Sequence, residues 1–305
     1  MRVLVTGATG FVGRWLAREL EAAGHEVIET PSSADLDLTD VDATARFVAD
    51  RRPDAIAHLA GVASPREAKA DPAAALRVNV GGTQSVLEAI RSSGHQVALL
   101  VAGSSDVYGR PRPEDLPLTE AAPLRTIQTY GLSKLAQEGI AIEAGARFGI
   151  PVVITRSFNH TGPGQRPDFV APALARRVIQ ARSNGATSIT VGNLDVHRDL
   201  GDVRDFVRAY RLLLEALVGG TVQSMTVVNV ATGAAVSIRA VLEALCRLAG
   251  VELEADVDPS LVRPDDPPVV VGDASALRAL TGWSPRIELE RTLADLLESA
   301  ERLAS

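Results

Sequence analysis

The chain has 305 residues, 46% of them hydrophobic, which is enough for a substantial core and for two lobes. A formal net charge of −7 without a basic cluster excludes a broad polyanion-binding surface and speaks against a nucleic-acid partner, although a few placed arginines can still hold an anionic ligand. No apolar run approaches the roughly 18 residues of a membrane helix. The N-terminus "MRVLVTGATG" also lacks the apolar region and cleavage site of a signal peptide, so a cytoplasmic protein without membrane contact is expected.

In chain order, "RVLVTG", "FVGRWLARELEAAG", "EVIET", "ATARFVADRRP" and "AIAHLAG" alternate short β-branched runs with helical stretches. The rhythm continues through "GGTQSVLEAIRSSG", "VALLVAGSS", a helix from Tyr130 to about Arg147, and "PVVITRSFN", for about six strands in the first 160 residues. Strands interleaved with helices imply right-handed crossovers and a parallel sheet covered on both faces. After Asn159 the pattern loosens, through "HTGPGQRPDF", the helix "VAPALARRVIQARSNG", the strand "SITVGN", then "VRDFVRAYRLLLEAL", "MTVVNVATG", "SIRAVLEALCRLAG" and a helix around Leu289 to Leu303. A smaller lobe from the C-terminal half is expected, with a strand returning to the main sheet. Cys246, the single cysteine, is expected to be a core thiol on its helix, since it has no partner for a disulfide or a thiolate metal site.

"TGATGFVG" places Gly7, Gly10 and Gly13 between a strand and a helix. Glycines there let the chain turn tightly, bring backbone amides against a pyrophosphate and seat the helix close to the sheet, with its N-terminus facing the negative charge. The end of the second strand, where an NAD enzyme offers an acid to the adenosine ribose, falls on Pro31, followed by Ser32 and Ser33. Hydroxyls without a carboxylate favour NADP over NAD. Asp37 is a candidate for the adenine amino group or a turn aspartate.

Tyr130 and Lys134 lie four residues apart on one helical face, where the cation is expected to lower the phenol pKa towards neutrality. A phenol so tuned can exchange a proton with a sugar oxygen. "VALLVAGSS" ends a strand of the same sheet, and Ser104 at its carboxyl end can reach the same oxygen. His58 is expected to pack at a strand end and His160 to line the substrate loop. Neither has metal-ligand spacing, so no metal is expected.

With Ser104, Tyr130 and Lys134 behind "TGATGFVG", "HLAG" at 58–61 and "NVGGT" at 79–83, the chain resembles the extended short-chain dehydrogenase/reductases that act on nucleotide sugars. Among them "RSFNHTGPGQ", "VGNLDVHRDLGDVRD", "LVRPDDPPVVVGD" and "TGWSPRIELERTL" are most similar to the GDP-4-keto-6-deoxy-mannose reductases. The resemblance implies an α/β fold, a Rossmann-type doubly wound parallel sheet with a smaller α/β substrate-binding lobe. The dinucleotide domain would take residues 1–157 with returns at about 200–232, and the nucleotide-sugar domain 158–199 and 233–305.

The same resemblance implies roles. Tyr130 would give the proton, Lys134 would hold the nicotinamide ribose and depress the tyrosine pKa, and Ser104 would orient the carbonyl. The cofactor set would be Gly7, Gly10, Phe11, Val12, Gly13, Ser32, Asp37, Leu38, Leu59, Ala60, Gly61 and Asn79, besides Tyr130 and Lys134. Substrate would meet Ser105, Asn159, Arg198, Arg263 and Asp266, with both arginines on the diphosphate or nucleotide and Asp266 on the nucleoside ribose.

Asp106 matches a glutamate that serves the dehydratase branch as a base. It is one methylene shorter, which disfavours elimination, and it can equally bond loop amides. The reading is therefore reduction by NADP or NAD of the 4-keto group of a GDP- or dTDP-linked 4-keto-6-deoxyhexose. A redox-neutral epimerase or 4,6-dehydratase is the alternative. A non-catalytic scaffold is a further one, against which the intact Ser104, Tyr130 and Lys134 argue. Helices around 82–92 and 131–147 show the small, apolar faces of a four-helix dimer interface, so a homodimer is expected.

Overall fold

The computed structural model describes residues 1–262 and 266–304. Arg263, one of the expected substrate residues, lies outside the described residues. The first half contains strands β1 (Arg2–Thr6), β2 (Glu26–Glu29), β3 (Ala55–His58), β4 (Ala98–Ala102) and β5 (Val152–Ser157), with helices α1 (Phe11–Ala22), α2 (Val41–Arg51), α3 (Pro65–Ala70), α4 (Pro72–Leu76), α5 (Gly82–Ser92) and α6 (Thr129–Phe148). The second half contains β6 (Asn159–Thr161), β7 (Ser188–Val191), β8 (His197–Asp202), β9 (Thr226–Val230), β10 (Ala235–Ser237), β11 (Glu254–Val257) and β12 (Val269–Val270). Its helices are α7 (Val170–Asn184), α8 (Val203–Val218), α9 (Ile238–Ala249), α10 (Ser275–Thr281) and α11 (Leu289–Ala304).

Six strands form one parallel sheet in the order β2-β1-β3-β4-β5-β9. Every residue of β3 and β5 is buried, as central strands are when helices cover both faces. Leu16 and Leu20 of α1 share one core with Phe206, Leu213 and Leu214 of α8. Val86, Leu87 and Ile90 of α5 pack with Ala141 and Ala144 of α6 on the other face. The strand order reverses between β1 and β3, which opens a crevice at their carboxyl ends. The sixth place is not filled from the first 160 residues as the alternation suggests: β6 pairs with β8 instead, and β9 returns to the sheet edge.

A second core joins α7, α9 and α11 through Leu174, Val178, Leu242, Leu245, Leu293 and Leu296, and Cys246 is buried among them. Among the described residues no helix is long and apolar enough to cross a membrane.

Candidate active site

The glycine loop has the geometry its spacing demands. Gly7 takes φ +69°, and a Cβ there would come within 2.9 Å of the Ala60 amide nitrogen. A Cβ on Gly13 would lie 2.2 Å from the Gly7 carbonyl oxygen, so only glycine lets α1 start this close to β1. Gly10 caps α1 with no side-chain bond, and no acid occupies the first turn, leaving helix amides and the positive dipole end for an anion. These residues fit a dinucleotide pyrophosphate. Phe11 stacks on His160 at 6.4 Å, while Val12 is half-buried beside it.

Past β2 the loop departs from expectation. The Ser32 hydroxyl donates to Asp35 at 2.7 Å, so a carboxylate does stand among the hydroxyls. Asp37 accepts from both the amide and the hydroxyl of Thr39 on one carboxylate oxygen, at 2.9 and 2.8 Å, which lowers its pKa. Leu38 is half-buried next to Gly82. Basic groups come from α1 instead. Arg14 donates to the Thr9 carbonyl at 3.0 Å and, with Arg18, Ala8, Thr9 and Glu29, lines a cleft of about 410 Å³.

Leu59 and Ala60 donate their amides to the Thr6 hydroxyl, both at 3.1 Å, which ties the segment after β3 to the glycine loop. Asn79 is wholly buried, accepts from the Val62 amide at 2.8 Å and donates to Ser133 at 2.9 Å. A Cβ on Gly61 would sit 2.6 Å from the Asn79 Oδ1 and 3.7 Å from the Lys134 Nζ. Asn79 and Lys134 thus converge beneath Gly61.

Ser104 starts a short 3-10 turn after β4: its Oγ accepts from the Asp106 amide at 3.1 Å and donates to the Asp106 carboxylate at 3.2 Å. Ser105 is half-buried, and Asp106 is exposed. Tyr130 and Lys134 are both buried on α6, at 8% and 6% exposure. Burial, then the Asp106 charge, push the Tyr130 pKa up, and the hydroxyl of Ser104 offsets this only in part.

The expectation that Lys134 acidifies the phenol is therefore corrected. Its Nζ is held by the Ala102 carbonyl and the Gln137 side chain, each at 2.9 Å, while burial dominates at the phenol. Burial lowers the Lys134 pKa to about 8.

Several buried polar groups carry no signal in the linear pattern. Arg156 donates to Glu138 at 3.1 and 2.5 Å, to the Tyr108 hydroxyl at 3.2 Å and to the Glu120 carbonyl at 2.9 Å. Tyr108 in turn donates to Asn229 at 2.6 Å. Glu138 lies one turn beyond Lys134, so this pair clamps α6 to β5. The signal would have been an acid and a base at sheet-facing positions of otherwise apolar elements.

In the second half, Arg198 donates to Asp266 at 2.7 Å and to the carbonyls of His197 and Pro267, both at 2.8 Å. Asn159 is exposed on β6, which pairs with β8 and so lies near Arg198. His160 is wedged between Phe11 and Phe206, 4.6 Å from the latter ring, where burial lowers its pKa. His58 sits at a strand end as expected.

A family model described as "NAD dependent epimerase/dehydratase family" matches residues 3–231. The chain belongs to this family. It is 36% identical over 301 residues to GDP-6-deoxy-D-mannose reductase of Pseudomonas aeruginosa, covering 98% of this chain and 97% of the relative. The structure of RMD from Pseudomonas aeruginosa complexed with NADPH superposes with a TM-score of 0.90 at 34% identity, covering 99% of both chains. The Thermus thermophilus UDP-glucose 4-epimerase complex with NAD superposes with a TM-score of 0.86 at 29% identity, over 99% of both chains.

Proposed function

We propose that this family member reduces the 4-keto group of a GDP-linked 4-keto-6-deoxyhexose with NADPH, or less readily NADH. The observation that carries the reading is the buried Ser104, Tyr130 and Lys134 set at the carboxyl end of β4, with the phenol held protonated. Burial keeps the phenol protonated but makes it a weaker acid than a free phenol, so the basicity of the developing alkoxide must drive the transfer.

Bound NAD(P)H supplies the hydride. Tyr130 gives its proton to the oxygen as charge develops there, and Ser104 turns its hydroxyl from Asp106 to that oxygen. Lys134 keeps one N–H beyond Ala102 and Gln137 for a ribose hydroxyl. The glycine loop and the α1 amides bind the pyrophosphate. Arg14 and Arg18 on the cleft beside Thr9 could meet a 2′-phosphate, set against Glu21 and Glu29 on the same cleft.

Residues 1–157 with about 200–232 hold the dinucleotide in this reading, and 158–199 with 233–305 hold the sugar nucleotide. Asn159, Arg198, Arg263 and Asp266 would anchor the diphosphate and nucleoside, and that remote binding aligns the reacting carbon. That Asp106 is exposed and bonded to Ser104 supports a loop carboxylate over a base for elimination.

The protein would work in the cytoplasm as a homodimer. The outward stripe of α6, with Leu132, Ala136 and Gly139 exposed, supports pairing. The face of α5 does not, because its apolar side is covered within the chain and Gln84 and Arg91 point outward.

The test is stoichiometric. Purified protein given GDP-4-keto-6-deoxymannose should oxidise added NADPH mole for mole, more efficiently than with the dTDP-linked analogue. Tight bound dinucleotide with no net oxidation would replace this reading by the epimerase one.

A further inference from the structure

A buried chain of hydrogen bonds runs from Lys134 to the head of the glycine loop. The Lys134 Nζ donates to Gln137 Oε1 at 2.9 Å, and Gln137 Nε2 donates to Thr83 Oγ1 at 2.8 Å. Thr83 gives its one proton to the Asn79 carbonyl at 2.7 Å, so it must accept from both of its other partners. The second of these is His58 Nε2 at 3.0 Å, which makes His58 the Nε2–H tautomer. Its Nδ1 then accepts from Thr6 Oγ1 at 2.8 Å, and Thr6 accepts the Leu59 and Ala60 amides.

Each of these bonds has one consistent donor and one consistent acceptor. Gln137, Thr83 and His58 are each 1% exposed or less, so water does not compete for these bonds. Reversing any member would leave a buried donor facing a donor. The side-chain amide of Gln137 does not pass protons readily, so the arrangement serves to hold a position rather than to conduct.

We propose that Gln137 is a positioning residue: through Thr83, His58 and Thr6 it fastens the Lys134 ammonium to the glycine loop, so that lysine and cofactor cradle are set as one unit. The proposal rests on the reading of Lys134 as the residue that binds the nicotinamide ribose.

The titratable groups around Lys134 are His58 from β3, Tyr130 on its own helix and Asp106 from the turn after β4. His58 stays neutral, since burial and then the Lys134 charge lower its pKa to about 3. Glu138 is committed to Arg156, Glu88 pairs with Arg91, and Arg66, Glu67, Lys69 and Arg77 of the neighbouring short helices are exposed. Gln137 is thus the side chain through which the ammonium can be tuned in either direction.

The experiment measures NADPH binding by fluorescence titration across pH, without sugar. Gln137→Met keeps the length and removes the acceptor. It should weaken NADPH about tenfold, as loss of a bond to a charged group does, and should move the alkaline loss of affinity below the parent's position near pH 8. Gln137→Glu keeps an acceptor and adds a charge, and should move that loss above it. Thr83→Val, which cuts the chain away from the lysine, should weaken NADPH in the same sense, and Thr83→Ser should restore it.

Melting temperatures serve as the control for folding. Parent-like affinity and pH profile in folded Gln137→Met, or displacement of both Gln137 variants in the same direction, would overturn the proposal. Should Gln137→Met fail to fold, the Thr83 pair decides by the same criterion. Parent protein that binds no NADPH would instead sink the reading of the site.

Discussion

The two ends of the site are built differently. Around the expected dinucleotide, polar side chains are buried and hydrogen-bonded to one another: Asn79, Thr83, His58, Gln137 and Lys134 lie in one connected set behind Gly61. Around the expected sugar nucleotide, Asn159 is exposed, and Arg198 meets Asp266 with 12% and 26% of their side-chain surfaces open. A cofactor common to many reactions can be met by a rigid, preorganised cradle, whereas an anionic substrate must displace existing surface partners before it binds. Binding at the first end tests geometry, and binding at the second tests exchange.

The sharpest break of this contrast is chemical. Tyr130→Phe should lower kcat by about 10²- to 10⁴-fold and leave NADPH affinity intact, read by steady-state oxidation and a binding titration. A variant that retained full turnover would remove the phenol from the mechanism.

Next comes the clamp on α6. Glu138→Ala leaves the Arg156 guanidinium without its carboxylate in a site where both side chains are 6% exposed. Denaturant unfolding should report a loss of about 3–5 kcal/mol, the usual cost of orphaning one member of a buried pair.

An effect of comparable size, spread over several pH units, should appear with acid. His58 is held neutral with a pKa of about 3, against 6.5 in an exposed chain. Between these values the unfolded chain binds more protons than the folded one, so stability is full above pH 6.5 and declines as pH falls towards 3. His58→Gln should flatten this limb in a plot of unfolding free energy against pH.

Smallest in stability, yet decisive for the other end, is Arg198→Met. Its pair with Asp266 is partly exposed and contributes little to folding, about 0–1 kcal/mol. The KM for the sugar nucleotide should nevertheless rise about tenfold, in line with a lost charged hydrogen bond, with NADPH affinity unchanged. A parallel loss of NADPH affinity would show the two ends to be coupled.

The sequence was readable where its signals are local. Glycine spacing in "TGATGFVG", the four-residue step from Tyr130 to Lys134 and the apolar runs of the strands depend on backbone sterics and periodicity, which neighbouring residues set between them. The family resemblance, the doubly wound sheet and the placing of Ser104 beside Tyr130 follow from those signals. Asp37 illustrates the limit of that reading: both a turn role and an adenine role fit its position, and the Thr39 contacts, both to one carboxylate oxygen, are compatible with either.

Tertiary structure alone decided what each titratable group experiences. Whether the lysine acidifies the phenol depends on where its ammonium points, and it points to Ala102 and to Gln137, whose partner Thr83 lies 54 positions away. The seating of β9 at the sheet edge and the pairing of Arg156 with Glu138 are likewise long-range choices. Burial and hydrogen-bond partnership are properties of residues brought together by folding, so no window of neighbouring letters contains them.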